Sequence, residues 1–179
     1  MIPTDEILEA LELPRSEPGI GYLQALFARF NERVLFETAS KIVRNAEVSD
    51  PAEKPRGPEL FWAEHLDSGA GGTCFARVAA FHALLSDLAF DGRVVLGRVQ
   101  SDFDHAALLV TLDGEEWICD VGFPLPVLVR CAPGETETPL CTLRVKRGAR
   151  GWRVELLGGV PEGPRELEIF EAPVPASSS

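Results

Sequence analysis

The chain has 179 residues, a formal net charge of −11 and 45% hydrophobic residues. This length and hydrophobic content favour one folded unit with a sizeable core and exclude a largely disordered chain. The negative charge disfavours non-specific binding to nucleic acid or anionic lipid. The sequence has no apolar run near the roughly 20 residues that a membrane span needs, and its acidic start is unlike a signal peptide. We therefore expect a cytoplasmic protein without nucleic-acid or membrane partners.

The first half of the chain is predicted to form four helices. The clearest starts at Gly21 and ends near Phe36, because its apolar residues recur at the spacing of one buried helical face. The other three run from Thr4 to Leu13, from Glu59 to Asp67, and from the glycine turn at 69–72 to near Phe90. Residues 44–58 contain three prolines among many charges and are predicted to be a loop. Residues 1–91 should therefore form a helical bundle.

The second half changes to short segments rich in branched and aromatic residues, separated by Gly, Pro and Asp turns. The predicted strands are Val94 to Val99, Ala106 to Leu112, Glu115 to Val121, Val127 to Cys131, Cys141 to Val145, Trp152 to Leu157 and Glu166 to Phe170. Residues 92–171 are thus predicted to form an antiparallel sheet or small barrel. Residues 172–179 are predicted to be a disordered tail. The fold class is α+β, with a core like that of a cysteine protease.

The glycine-rich turn at 68–75 delivers Cys74 to the start of an apolar helix. Unpaired backbone N–H groups and the positive end of the helix dipole favour a thiolate there, so its pKa should fall. Gly69, Gly71 and Gly72 allow positive φ and a close approach to a bound group. A buried, inert cysteine beside a flexible turn is the alternative.

The other cysteines lie at positions 119, 131 and 141, with no Cys-x-x-Cys pair. This spacing argues against a zinc site or a disulfide framework, and no metal is expected. We expect free thiols, with a bond between Cys131 and Cys141 as the alternative.

A hairpin around Asp113-Gly114 gives a geometric prediction. A two-residue type I′ turn would place Leu112 opposite Glu115, and the same register would place His105 and Asp120 on one face as diagonal neighbours. A slip of one residue would put them on opposite faces.

These placements predict a triad in which Cys74 is the nucleophile, His105 the base and Asp120 the residue that orients the base. His82 lies about 12 Å of helical rise from Cys74, which is too far for a direct hydrogen bond. His65 is interpreted as a surface or packing residue on an exposed helix. The alternative for His105 is a structural histidine at the start of a strand.

Three motifs resemble those of the arylamine N-acetyltransferases, in the same order. They are Gly71-Gly72-Thr73-Cys74-Phe75, Asp104-His105-Ala106-Ala107-Leu108-Leu109-Val110 and Cys119-Asp120-Val121-Gly122-Phe123. The segment 23–40 is similar to that family's early helix and the segment after it, and the resemblance covers roughly residues 20–130. It implies that Cys74 is acetylated, that His105 is the base and that Asp120 orients it. It also implies a helical bundle, a β-barrel and a third domain or lid.

The chain departs from the family pattern in two ways. Ala70 replaces the arginine usual before the glycine pair, and Ala76 and Val78 replace the acidic and amide residues that usually follow Cys-Phe. The chain also ends where the third domain, which helps to hold coenzyme A, would begin. The net charge does nothing to attract a polyphosphate, and no GxxxxGK phosphate loop is present.

Three functions follow as hypotheses. The first is an acyltransferase that moves an acetyl or other acyl group from acetyl-CoA to a small arylamine-like acceptor. The second is a cysteine hydrolase or a transglutaminase-like enzyme with the same triad. The third is a non-catalytic relative. The residues predicted to contact substrate are Phe36, Gly72, Thr73, Phe75 and Phe123. A homodimer that covers an open pocket is a further expectation.

Overall fold

The computed structural model describes residues 1–123, 125–158 and 166–171. Five α-helices occupy the first half of the chain: α1 Thr4–Ala10, α2 Ile20–Arg33, α3 Ala39–Glu47, α4 Pro58–Ser68 and α5 Cys74–Asp87. A short 3-10 helix lies at Pro51–Glu53. The predicted tail at 172–179 lies outside the described residues.

Helix α2 buries the apolar face that its sequence spacing predicts. The buried residues are Leu23, Leu26, Phe27 and Phe30. The helix ends at Arg33 and not near Phe36, because Val34 already has extended backbone angles. Phe36 then pairs with Gly72 in a parallel β-bridge. This bridge joins the end of α2 to the glycine turn.

Helix α3 contradicts the prediction of a loop over 44–58. No residue of α3 is buried, although Ala39, Ile42, Val43 and Ala46 recur at helical spacing on one face. The signal that the sequence interpretation missed is thus a short apolar stripe that lies exposed in the structure. The carboxylate of Glu37 holds its first turn by accepting hydrogen bonds from the backbone N–H and the hydroxyl of Ser40, at 2.9 and 2.5 Å. Near its end, Arg44 donates to the carbonyl oxygens of Glu53 and Lys54. Side-chain hydrogen bonds thus stabilise α3 in place of burial.

The second half forms one antiparallel sheet of eight strands in the order β4-β3-β2-β1-β8-β7-β6-β5. The strands are β1 Asp91–Arg98, β2 Asp102–Leu112, β3 Glu115–Cys119, β4 Val129–Arg130, β5 Gly134–Glu137, β6 Thr142–Arg147, β7 Gly151–Leu157 and β8 Glu166–Phe170. The predicted α+β fold is confirmed. Strand β5 was not predicted, because its four residues are all exposed and show no alternation of apolar and polar side chains.

The β2–β3 hairpin has the predicted register. Asp113 and Gly114 both have positive φ, at 52° and 79°, as a type I′ turn requires. Leu112 pairs with Glu115, and the pairing continues to Leu108 and Cys119. His105 and Asp120 lie just beyond the last pair.

The helices and the sheet share one hydrophobic cluster, which includes Phe30, Trp62 and Phe81 from the helices and Leu108 and Val154 from the strands. Helix α5 packs against β1 and β2, which are neighbours in the sheet. In the described part of the chain, no helix has the length and apolar character that a membrane crossing requires. The division into units at residue 91 stays a prediction.

The hairpin turn can be tested by comparing Gly114→Ala with Gly21→Ala. A Cβ at either position would have no described atom within 4 Å, but only Gly114 has positive φ. We expect Gly114→Ala to lower the free energy of unfolding by about 1 kcal/mol, because an L side chain disfavours the left-handed region. Gly21→Ala, within α2, should raise it by roughly 0.5 kcal/mol. Urea unfolding measures the free energy of unfolding of both variants. A value for Gly114→Ala that is not lower than that for Gly21→Ala would contradict the type I′ turn.

Candidate active site

The glycine turn between α4 and α5 is held by close backbone packing. Gly69 caps α4 with a left-handed φ of 72°, and its N–H donates to the carbonyl oxygen of His65 at 2.8 Å. A Cβ on Gly71 would lie 2.0 Å from the carbonyl oxygen of Leu35, so only glycine fits there. The expectation of positive φ is therefore met at Gly69, while Gly71 and Gly72 have ordinary φ and are required for space instead.

The two histidines that were set aside have structural contacts. His65 is buried, so of the two interpretations, surface or packing residue, the packing one is confirmed and the exposed placement is wrong. Its ring packs edge-on against Trp62, and its Nδ1 lies 3.0 Å from the carbonyl oxygen of Ala70. His82 places its Nε2 3.0 Å from the carbonyl oxygen of Gly92. His65 thus supports the glycine turn, and His82 ties α5 to β1.

Cys74 is the first residue of α5 and is half-buried. Burial alone would raise the pKa of its thiol, but the neighbouring imidazole of His105 outweighs it. The backbone N–H groups of Ala106 and Phe75 add to this effect, so the pKa of Cys74 falls below its ordinary value. The Sγ atom itself lies 3.9 Å from the carbonyl oxygen of Asp104. The start of the helix also favours a negative charge on the sulfur.

His105 connects this thiol to a buried carboxylate. Its Nε2 lies 2.7 Å from Oδ2 of Asp120, and both residues are almost fully inaccessible to solvent. Burial would lower the pKa of His105, but the hydrogen bonds and charges of Asp120 and Cys74 raise it well above its ordinary value. The other carboxylate oxygen of Asp120 accepts from the backbone N–H of Phe123 at 2.7 Å. The arrangement favours a thiolate beside an imidazolium that a carboxylate orients.

Gly122 makes the close approach of these groups possible. A Cβ at this position would lie 2.6 Å from the carbonyl oxygen of Ala106, 2.9 Å from Cβ of Cys74 and 3.1 Å from Cε1 of His105. Any side chain would therefore push the cysteine and the histidine apart.

The residues predicted to contact substrate fall into three groups. Phe36 and Phe75 expose 52% and 49% of their surface near the nucleophile, although they are large and apolar. Phe123 packs edge-on against the His105 ring, with ring centroids 6.4 Å apart. Gly72 belongs to the backbone bridge with Phe36, and Thr73 caps α5 without a hydrogen bond from its side chain.

Arg77 is a buried residue of the site that the sequence interpretation missed. Its guanidinium donates to the carbonyl oxygens of Val121, at 2.7 Å, and Val34, and to the Asn31 side chain at 2.9 Å. Burial lowers its pKa to about 10, although the charge of Asp120 opposes this. It therefore stays a cation at neutral pH and fixes the strand end that carries Asp120. The sequence did contain a sign of this role, because Arg77 is the one arginine or lysine in the α5 sequence.

Arg56 supplies a cation to the glycine turn, where Ala70 lacks one. Its Nη2 donates to the carbonyl oxygen of Gly71 at 2.6 Å, and its Nη1 pairs with Glu64 at 2.7 Å. The side chain is 5% exposed and lies over the ring of Phe61. Local sequence gave no sign of this contact, since Arg56 lies 15 residues before Gly71 in a loop.

The other cysteines have a different environment. All four are free thiols. Burial raises the pKa of Cys119 far above its ordinary value and that of Cys131 to about 12. Within the described residues, no three potential metal ligands lie together. Of Cys74, Cys119 and Cys131, Cys74 is thus the one whose thiol pKa is lowered.

Comparisons with known proteins agree with this geometry. A sequence model of the N-acetyltransferase family matches residues 20–147. The chain is 42% identical over 112 residues to an arylamine N-acetyltransferase of Escherichia coli, a match that covers 59% of this chain and 37% of that protein. It is 41% identical over 71 residues to proansamycin X synthase of Amycolatopsis mediterranei, covering 36% of this chain and 27% of the synthase. The matches thus span well under half of the curated relatives.

The fold agrees with solved structures. The structure of the arylamine N-acetyltransferase from Mycobacterium abscessus superposes with a TM-score of 0.79 at 25% identity, over 97% of this chain and 65% of that one. The family match covers well over half of the chain, and sequence and structural relatives point the same way. The chain therefore belongs to the arylamine N-acetyltransferase family.

Proposed function

We propose that the protein is an acyltransferase that carries an acyl group on Cys74. The observation that supports this most directly is the set of contacts around that sulfur. It lies at a helix start, its pKa is lowered by His105, and His105 is held by Asp120 at 2.7 Å. Family membership supports a coenzyme A thioester, with acetyl-CoA as the first candidate for the acyl donor.

The proposed reaction has two halves. In the first, the Cys74 thiolate attacks the thioester carbonyl, the new bond to sulfur forms, and the bond to the sulfur of coenzyme A breaks. The leaving thiolate takes a proton from the His105 imidazolium. In the second, an amine attacks the acyl-enzyme, His105 accepts the amine proton, and the Cys74 thiolate leaves. Asp120 keeps the imidazole in one tautomer and supports its charge in both halves.

The acceptor is proposed to be a small arylamine. Phe36, Phe75 and Phe123 place aromatic surface around the nucleophile, and the first two are half exposed. Aromatic rings favour edge-on or offset contact with a second ring. Gly72 and Thr73 would border the same site, with the Gly72 backbone beside Phe36.

The cellular setting and the assembly belong to the same proposal. Four free thiols suit the reducing conditions of the cytoplasm, where coenzyme A thioesters are made. A homodimer would cover the exposed apolar side chains Leu35, Phe36 and Phe75 beside the site.

The function is tested by mixing the pure protein with acetyl-CoA, with and without an aromatic amine, and measuring free thiol release. We expect release that continues only when the amine is present, because water should react slowly with the acyl-enzyme. Continuous release at the same rate without amine would identify a hydrolase instead. No release under either condition, together with no acyl adduct on the protein, would favour a non-catalytic relative.

The nucleophile is tested by Cys74→Ala, with Cys131→Ala as the matched control. Intact-mass measurement after incubation with acetyl-CoA should show one acyl group on the wild type and on the control, and none on Cys74→Ala. The control removes a partly buried thiol whose pKa is raised to about 12, so it should leave the adduct unchanged. An adduct that survives in Cys74→Ala would place the acyl group on another residue.

The role of His105 is tested by the pH dependence of iodoacetamide labelling at Cys74. Alkylation follows the thiolate, so the rate rises as pH passes through the pKa of the thiol. In the wild type the midpoint should lie below the ordinary thiol pKa of 9.0, because His105 lowers it. His105→Gln removes the imidazole and its positive charge and leaves burial, which raises the pKa of the thiol. Its labelling rate at neutral pH should therefore fall by up to about tenfold for each unit by which the pKa rises.

Asp120→Asn should shift the midpoint in the same direction but by less, since the imidazole remains. Mass spectrometry of the labelled peptide measures both series. Identical midpoints for the wild type and His105→Gln would contradict the coupling between the two side chains.

A further inference from the structure

A cavity of about 440 Å³ lies between α3, the 3-10 helix and the first turns of α5. Four basic side chains line it: Lys41, Arg44, Lys54 and Arg56. Among the described residues that line it, none is an aspartate or a glutamate. The remaining wall includes Thr73 and Phe75, which flank Cys74 in the sequence, but none of Cys74, His105 and Asp120 lines the cavity. The cavity therefore adjoins the proposed substrate site, with which it shares Thr73 and Phe75, without including the three residues of the triad.

Three of these cations are not neutralised within the described part of the chain. Neither Lys41 nor Lys54 nor Arg44 has a described carboxylate oxygen within 4.0 Å, whereas most other arginines of the chain do. Arg56 is the exception, since it pairs with Glu64. The cavity thus carries a net positive charge of about three.

The two arginines are held in fixed orientations. Arg44 donates Nε to the carbonyl oxygen of Lys54 at 2.8 Å and Nη2 to that of Glu53 at 2.5 Å. Arg56 donates to the carbonyl oxygen of Gly71 at 2.6 Å. Neutral carbonyl partners fix a guanidinium without cancelling its charge. Such preorganisation lowers the entropic cost of binding an anion.

This concentration of positive charge runs against the composition of the chain. The sequence has 17 basic and 28 acidic residues, and it contains three lysines, at positions 41, 54 and 146. Two of those three line this one cavity. Uncompensated like charges in one place cost stability, so a ligand of opposite charge is the natural explanation.

We propose that the cavity binds a phosphate-containing anion with at least two negative charges, such as a diphosphate. Arginine suits phosphate because its planar fork donates two parallel hydrogen bonds, and lysine adds point charges. Thr73 contributes a hydroxyl that forms no hydrogen bond with its own helix, and the first turn of α5 adds the positive end of the helix dipole.

The proposal is tested by isothermal titration of the full chain with inorganic pyrophosphate. We expect saturable binding at one site per chain, weakened by added salt because the contacts are ionic. The double variant Lys41→Ala, Lys54→Ala should weaken binding by roughly tenfold for each lysine removed. Both lysines lie outside the core, so the fold should persist.

The matched control is Arg130→Ala, Lys146→Ala. It removes the same charge from exposed side chains that pair with Glu115 and Glu155 on the sheet. It should bind pyrophosphate like the wild type. No saturable binding to the wild type, or an equal loss in the control, would overturn the proposal.

Competition identifies the source of the phosphate. If coenzyme A displaces pyrophosphate and also protects Cys74 from iodoacetamide, the cavity holds the phosphates of the acyl donor. If ADP displaces pyrophosphate and coenzyme A does not, the occupant is a free nucleotide or phosphate. The binding measurement is independent of the acyltransferase proposal, because Cys74→Ala should bind pyrophosphate as the wild type does.

Discussion

His105 and Asp120 meet in the interior through a 2.7 Å hydrogen bond, with both side chains almost fully removed from solvent. A carboxylate in such a place is costly unless charged or polar groups satisfy it. Here the imidazole satisfies one oxygen and the Phe123 N–H the other. The same pairing raises the pKa of His105, and the cationic imidazole in turn lowers the pKa of Cys74. The reactivity proposed for Cys74 thus depends on Asp120, which acts on the sulfur indirectly, through His105.

Backbone packing brings the sulfur to the imidazole. Helix α5 starts at Cys74 and packs on β1 and β2, so the start of the helix lies over the strand that carries His105. Gly122 leaves the space between them, and Gly71 lets the preceding turn pass against Leu35. These two glycines explain why the close contact requires a specific sequence and not only a specific fold.

Two arginines give polar support to the elements that carry the site. Arg77 joins the end of α2 to Val121, next to Asp120, and Arg56 joins the loop before α4 to the glycine turn. Both are buried or nearly so, and both donate to carbonyl oxygens that would otherwise lack partners. The chain therefore holds its site through long side chains that reach across elements. The same loop directs further cations into the cavity beside α5, which gives an acidic protein a local positive surface.

The local pattern of the sequence determined four of the five helices and most of the strands, because apolar periodicity depends only on neighbouring residues. It also determined that His105 and Asp120 share a face, since a two-residue turn sets the register of its hairpin. It did not reveal α3, whose apolar stripe is short and stands next to a run of prolines and charges. It left His65 as a surface or packing residue, and the structure shows that the ring packs in the interior against Trp62. Only the tertiary structure decided that Arg77 and Arg56 serve the site and that two of the three lysines face one cavity. Those contacts join residues far apart in the chain, and the packing that creates them leaves no periodic signal in the sequence.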